Sequence, residues 1–146
     1  MTMPFARTAL AFACAAAFTI AAPAFAETLT FKASLTAAQE VPPTNSKGKG
    51  EVTATYDTAS KKLSWKGSYS DLSGPATAAH FHGPAAAGKN AGVAVPIFAG
   101  GAAKSPFEGS ATLTDAQAKE LMGGEWYANI HTANNKAGEI RGQMAK

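Results

Sequence analysis

The sequence predicts an antiparallel all-β fold, a Greek-key-like sandwich or flattened barrel of seven to eight strands with one short helix. Three observations carry that expectation. Short apolar/polar alternations recur at a spacing of roughly ten residues, and clusters of Gly, Pro, Asn and Asp separate them. Helical periodicity is confined to one brief stretch, too little to supply the crossovers of a parallel sheet.

The first strand is read at Leu29, Phe31, Ala33 and Leu35, which alternate with Thr30, Lys32 and Ser34. Val41-Pro42-Pro43 ends that pattern, and Asn45 to Gly50 reads as a turn or loop. A hairpin follows, with Val52, Ala54 and Tyr56 on one side of Asp57 to Lys61 and Leu63, Trp65, Gly67 and Tyr69 on the other. Both tryptophans, Trp65 and Trp126, read as core. Asp71 to Pro75 breaks the alternation, Ala76 to His82 resumes it, and Ala85 to Gly92 is a loop of small residues. Val93 to Phe98 contains Pro96, which suits an edge position or a bulge. Pro106 to Leu113 is the next strand. Thr114 with Gln117 makes a capping box that opens a helix ending at Gly123-Gly124. The last two strands are Trp126 to Thr132 and Glu139 to Met144, joined by a polar turn.

Residues 1–26 stand apart. Arg7 precedes an alanine-rich apolar run and Pro23-Ala24-Phe25-Ala26, the pattern of a secretory signal peptide. A run of about 14 residues is too short for a membrane span, which needs about 20. Residues 27–146 are then a single exported domain, periplasmic or secreted, with no membrane insertion after cleavage. The one cysteine, Cys14, leaves with the leader, so no disulfide is available. A domain of this size buries about two-thirds of its unfolded surface and needs none. The chain carries 13 Lys and Arg against 10 Asp and Glu, a net charge of +3. Those charges are scattered among Gly, Ser and Thr, which argues against nucleic acid as a partner.

The three histidines of the chain fall in two places, His80-Phe81-His82 and His131. Residues two apart on a strand share a face, so His80 and His82 project side by side about 7 Å apart at their α-carbons. On the Trp126 to Thr132 strand, His131 shares a face with Tyr127 and Asn129. Three imidazoles suit zinc, copper, iron or nickel, and divalent copper binds nitrogen donors most tightly among these. Copper is therefore the leading ion. The competing reading is two polar residues on a solvated face, or one histidine holding a turn carbonyl. No nucleophile elbow or phosphate-binding loop stands in a fitting context. A protein partner meeting the loops at Ala85 to Gly92 and Asn45 to Gly50 is the alternative to metal binding.

Several motifs together resemble the CHRD family, the domain type named after chordin. They are Phe31 to Leu35, Glu40 to Pro43, Ala79-His80-Phe81-His82-Gly83-Pro84, Tyr127 to Thr132 and Gly138 to Gln143. The resemblance implies an exported single domain and says little about activity. A more distant likeness links His80, His82, His131 and Arg141 to copper-zinc superoxide dismutase. It implies a copper site in which Arg141 attracts an anion. The bridging histidine, zinc loop and disulfide of that enzyme have no counterpart, which favours ion binding over turnover.

Overall fold

The computed structural model describes residues 25–99 and 104–146. The leader expected at residues 1–26 lies almost wholly outside them, as does Cys14. No described helix is long and apolar enough to cross a membrane.

Eight antiparallel strands form one sheet, β1 (Thr28–Thr36), β2 (Lys49–Asp57), β3 (Lys62–Ser70), β4 (Ala76–His82), β5 (Val93–Ala99), β6 (Phe107–Thr112), β7 (Tyr127–Thr132) and β8 (Ile140–Gln143). Their order is β5-β4-β7-β8-β1-β2-β3-β6, so chain neighbours and sheet neighbours diverge at β1·β8, β3·β6 and β4·β7. The two ends of the sheet approach each other, and Phe98 of β5 meets Phe107 of β6 edge to face at 5.5 Å. The result is a nearly closed barrel, as the strand count and the scarcity of helix led one to expect. Closure removes most of the exposed edge that an open sheet would present.

Alternation places the core. Phe31, Ala33 and Leu35 of β1 face inward with Val52, Ala54 and Tyr56 of β2 and Leu63 and Trp65 of β3. Register holds them in rows, Val52 against Gly67, Ala54 against Trp65 and Tyr56 against Leu63. Phe81 sits at the centre, edge-on to Trp65 at 5.3 Å and stacked on Trp126 at 5.9 Å. Such pairs contribute about 0.5 to 1.5 kcal/mol each beyond the area they bury. Both tryptophans are core residues, as their strand positions implied.

Pro96 lies on β5, which is the sheet's edge, and the β4–β5 pairing carries two irregularities beside it. The missing N–H of proline makes that position tolerable at an edge. The helix, α1 (Asp115–Met122), begins at the capping box: Thr114 Oγ1 accepts from the Gln117 amide at 3.2 Å and Gln117 Oε1 from the Thr114 amide at 2.9 Å. Its Ala118 and Leu121 join the core. Boundaries shift slightly from the alternation alone. β2 starts at Lys49, inside the expected Asn45–Gly50 loop, because Lys49 and Gly50 still pair with Thr36 and Leu35. β7 and β8 are shorter than expected, the chain leaving the ladder at Trp126, Glu139 and Met144.

Candidate metal centre

β4 and β7 lie side by side, with Ala78 opposite His131, His80 opposite Asn129 and His82 opposite Tyr127. The inward positions between them, Ala79, Phe81, Ala128 and Ile130, belong to the core. All three histidines therefore share the other face of the sheet. Ala78 opposite His131 leaves room for the larger ring, and the diagonal neighbour of His131 is His80.

The rings converge. One nitrogen from each of His80, His82 and His131 can be chosen so that all three lie within 4.8 Å of one another. His80 Nδ1 and His131 Nε2 are 3.1 Å apart. Around an ion at about 2.0–2.1 Å, ligand nitrogens stand roughly 2.9 to 4.2 Å apart. The closest pair already fits that range, and the widest must close by roughly half an ångström or more. His131 was the residue whose place the strand pattern alone left open, and the sheet order settles it.

Backbone carbonyls orient two of the rings. His82 Nδ1 lies 3.0 Å from the Ala91 carbonyl and His131 Nδ1 lies 2.9 Å from that of Lys136. A carbonyl only accepts, so each Nδ1 carries the proton and each Nε2 presents its lone pair. His82 Nε2 is buried and has no hydrogen-bond partner. Leaving a buried acceptor unpaired costs about 1 to 3 kcal/mol, so such an atom calls for an explanation. With His131 Nε2 an acceptor, His80 Nδ1 donates to it, and an ion between the rings would need the His80 proton on Nε2 instead.

Burial pushes all three imidazoles below their ordinary pKa. Repulsion from His131 adds to this at His80. At His82 the hydrogen bond to Ala91 opposes burial, and at His131 the one to Lys136 does. All three are thus neutral at neutral pH, the form that binds metals. Such a cluster could hold a metal ion.

The covering comes from loops. Residues 85–92 and the turn at 133–138 supply the two carbonyls, and His82 and His131 each keep only 9% exposure. Beneath the 133–138 turn is the Glu139 carboxylate, fully buried. It accepts from Ser46 Oγ at 2.6 Å, from the Ser73 amide and hydroxyl at 2.6 and 2.7 Å, from Asn135 Nδ2 at 3.0 Å and from Thr132. Burial alone would raise its pKa, but the hydrogen bonds from Ser46, Thr132 and Ser73 outweigh it and hold it at about 2. Glu40 shows the opposite balance. Burial pushes it up to about 7 against the lowering effects of Arg141 and of the Asn129 amide that donates to it. Gly138, at φ +136°, passes close above this pair, and a Cβ there would sit under 3 Å from both Asn129 and Glu40.

Arg141 is 2% exposed, lies 3.5 Å over the Tyr127 ring, and donates to Asn90 Oδ1 at 2.9 Å and to the Lys89 carbonyl. Its guanidinium serves structural acceptors, which removes the residue that the dismutase likeness assigned to attracting an anion. The carbonyls of Ala91 and Lys136 went unforeseen because every residue carries that group.

Comparison with known protein families matches residues 31–144 to the CHRD domain. The chain belongs to the CHRD family. No curated protein and no solved structure gives a significant match. The matched span of the CHRD domain runs from the first core residue of β1 to Met144 and contains every residue of the histidine cluster.

Proposed function

We propose that this CHRD protein is exported through its N-terminal leader and binds copper at His80, His82 and His131, for storage, delivery or tolerance of the ion. The observation that carries the reading is the convergence of three imidazoles, one nitrogen of each within 4.8 Å of the others, together with a buried, unpartnered Nε2 on His82. An all-imidazole set favours copper over the other common first-row ions on affinity grounds. Binding rather than turnover fits the site, since the one arginine near it is engaged by Asn90 and Lys89.

Elemental analysis of protein purified from its native compartment should find copper bound. Competition titration against a chromophoric chelator should then give His82→Ala and His131→Ala affinities more than about 100-fold below wild type, since even loss of an outer partner costs 10- to 100-fold. Indistinguishable affinities for wild type and both variants would refute the proposal. The domain would then be read as a protein-interaction module whose histidines merely bond the loops.

A further inference from the structure

The loop over His82, residues 85–92, is rich in Ala and Gly, yet it is tied down at nearly every turn. Gln143 Nε2 donates to the Ala85 carbonyl at 2.9 Å, and the Ala85 amide to the Glu125 carbonyl at 2.7 Å. The Gly92 carbonyl accepts from the Gly83 amide at 3.2 Å. Asn90 Nδ2 reaches the Val41 carbonyl at 3.1 Å. Between these ties, Arg141 donates to both Asn90 Oδ1 and the Lys89 carbonyl. The next residue, Ala91, offers the carbonyl that accepts from His82 Nδ1. Tyr127 closes the circuit. Its ring stacks on His82 at 4.8 Å with 5° between planes, its hydroxyl accepts from the Ala91 amide at 3.1 Å and donates to the Ala91 carbonyl at 3.3 Å, and Arg141 lies over the same ring.

We infer that Arg141 is a positioning residue of the metal centre, fixing the tautomer and orientation of His82 by clamping Lys89 and Asn90 so that the Ala91 carbonyl stays on Nδ1. The inference rests on the metal-binding reading above. The physical need is plain. A histidine ligand is useful only when its other nitrogen carries the proton and the ring points at the ion, and outer partners supply both conditions. Without Arg141 the Lys89–Asn90 segment would keep, beyond its own loop, only the Asn90–Val41 side-chain bond. The Ala91 carbonyl would rest on the longer 3.3 Å bond from the Tyr127 hydroxyl, and His82 could then place its proton on Nε2. A planar guanidinium can serve two acceptors in one plane while stacking on an aromatic ring, which an ammonium cannot. His131 is independent of the clamp, because its Nδ1 is held by Lys136 on the other loop.

That independence supplies the control. Nitrogen-detected NMR of the histidine rings in metal-free protein should show His82 as the Nδ1–H tautomer in wild type. In Arg141→Lys and in Asn90→Ala it should show a mixture, with His131 unchanged. Asn90 is exposed, so its variant keeps the core intact if Arg141→Lys fails to fold. Copper affinity, cupric and cuprous, measured by chelator competition on protein verified as folded, should fall about 10- to 100-fold in both variants for whichever ion binds. A purely structural arginine would lower the unfolding midpoint and leave tautomer and affinity at wild-type values, and that result overturns the inference. If wild type binds neither cupric nor cuprous ion, the proposed function fails, and the His82 tautomer alone decides whether the clamp exists.

Discussion

On β1, β2 and β3 the outward positions carry Thr30, Lys32, Ser34, Glu51, Thr53, Thr55, Ser64 and Lys66, exposed or half-buried above an apolar inner face. On β7 all six residues are buried, and the outward ones are Tyr127, Asn129 and His131. The first half of the barrel is a sheet with one wet face, where each polar side chain is solvated and alternation reports inside against outside. β7 and β8 are covered on both faces, so their outward polar groups must find partners in the protein. The buried polar residues Glu40, His82, Asn129, His131, Thr132, Glu139 and Arg141 all lie on or beside β4, β7 and β8. Where loops cover a sheet face, polar residues are retained at the expense of an elaborate hydrogen-bond network, and the histidine cluster is part of that network.

The largest effect is expected at Glu139. Glu139→Ala removes a carboxylate with five hydrogen bonds and leaves Ser46, Ser73, Thr132 and Asn135 without their acceptor. Urea unfolding at neutral pH should show a loss of at least about 3 kcal/mol, the worth of two charge-assisted hydrogen bonds. The wild-type carboxyl is held at about 2, below its ordinary value of 4.5. Its contribution is therefore complete above about pH 4.5 and is lost as the pH falls toward 2. The gap between wild type and variant should narrow across that window.

Glu40 carries the opposite sign. Its folded-state value near 7 lies above the ordinary 4.5, so the folded chain holds a proton that the unfolded chain has released. That contribution is complete below about pH 4.5 and disappears as the pH rises through 7. Glu40→Gln keeps an oxygen for Asn129 and abolishes the titration. Measured between pH 5 and 8, the variant should gain stability relative to wild type as the pH rises. A constant difference across the interval would show that Glu40 ionises normally.

The smallest effect belongs to the wet face. Thr30, Thr55, Ser64 and Ser110 form one cross-strand row of hydroxyls on β1, β2, β3 and β6. Ser64→Ala should change stability by no more than about 0.5 kcal/mol and leave metal affinity at the wild-type value. A larger change in the unfolding midpoint would mean that this face, too, is engaged by the protein.

Legibility followed the same division. The β2–β3 hairpin, the capping box at Thr114 and the edge or bulge at Pro96 were all readable, since each is written in a short run of neighbouring residues. His80 and His82 were readable as a facing pair for the same reason. Through the dismutase likeness Arg141 reads as a residue that attracts an anion, not as a donor to loop acceptors. Its bonds to Lys89 and Asn90 span some fifty positions. Glu139 reads only as the first residue of the last strand, and its partners Ser46 and Ser73 lie 93 and 66 positions away.

Strand alternation is a property of the extended backbone, so the side chains that share a face follow from local order alone, and with them the β class and the His80–His82 pair. Neighbourhood across the sheet is different. That β7 lies against β4, bringing His131 to the pair, depends on how the whole barrel closes. The groups that then orient the rings are peptide carbonyls of two loops. Those carbonyls are the same at every residue, so only the folded path of the chain selects Ala91 and Lys136.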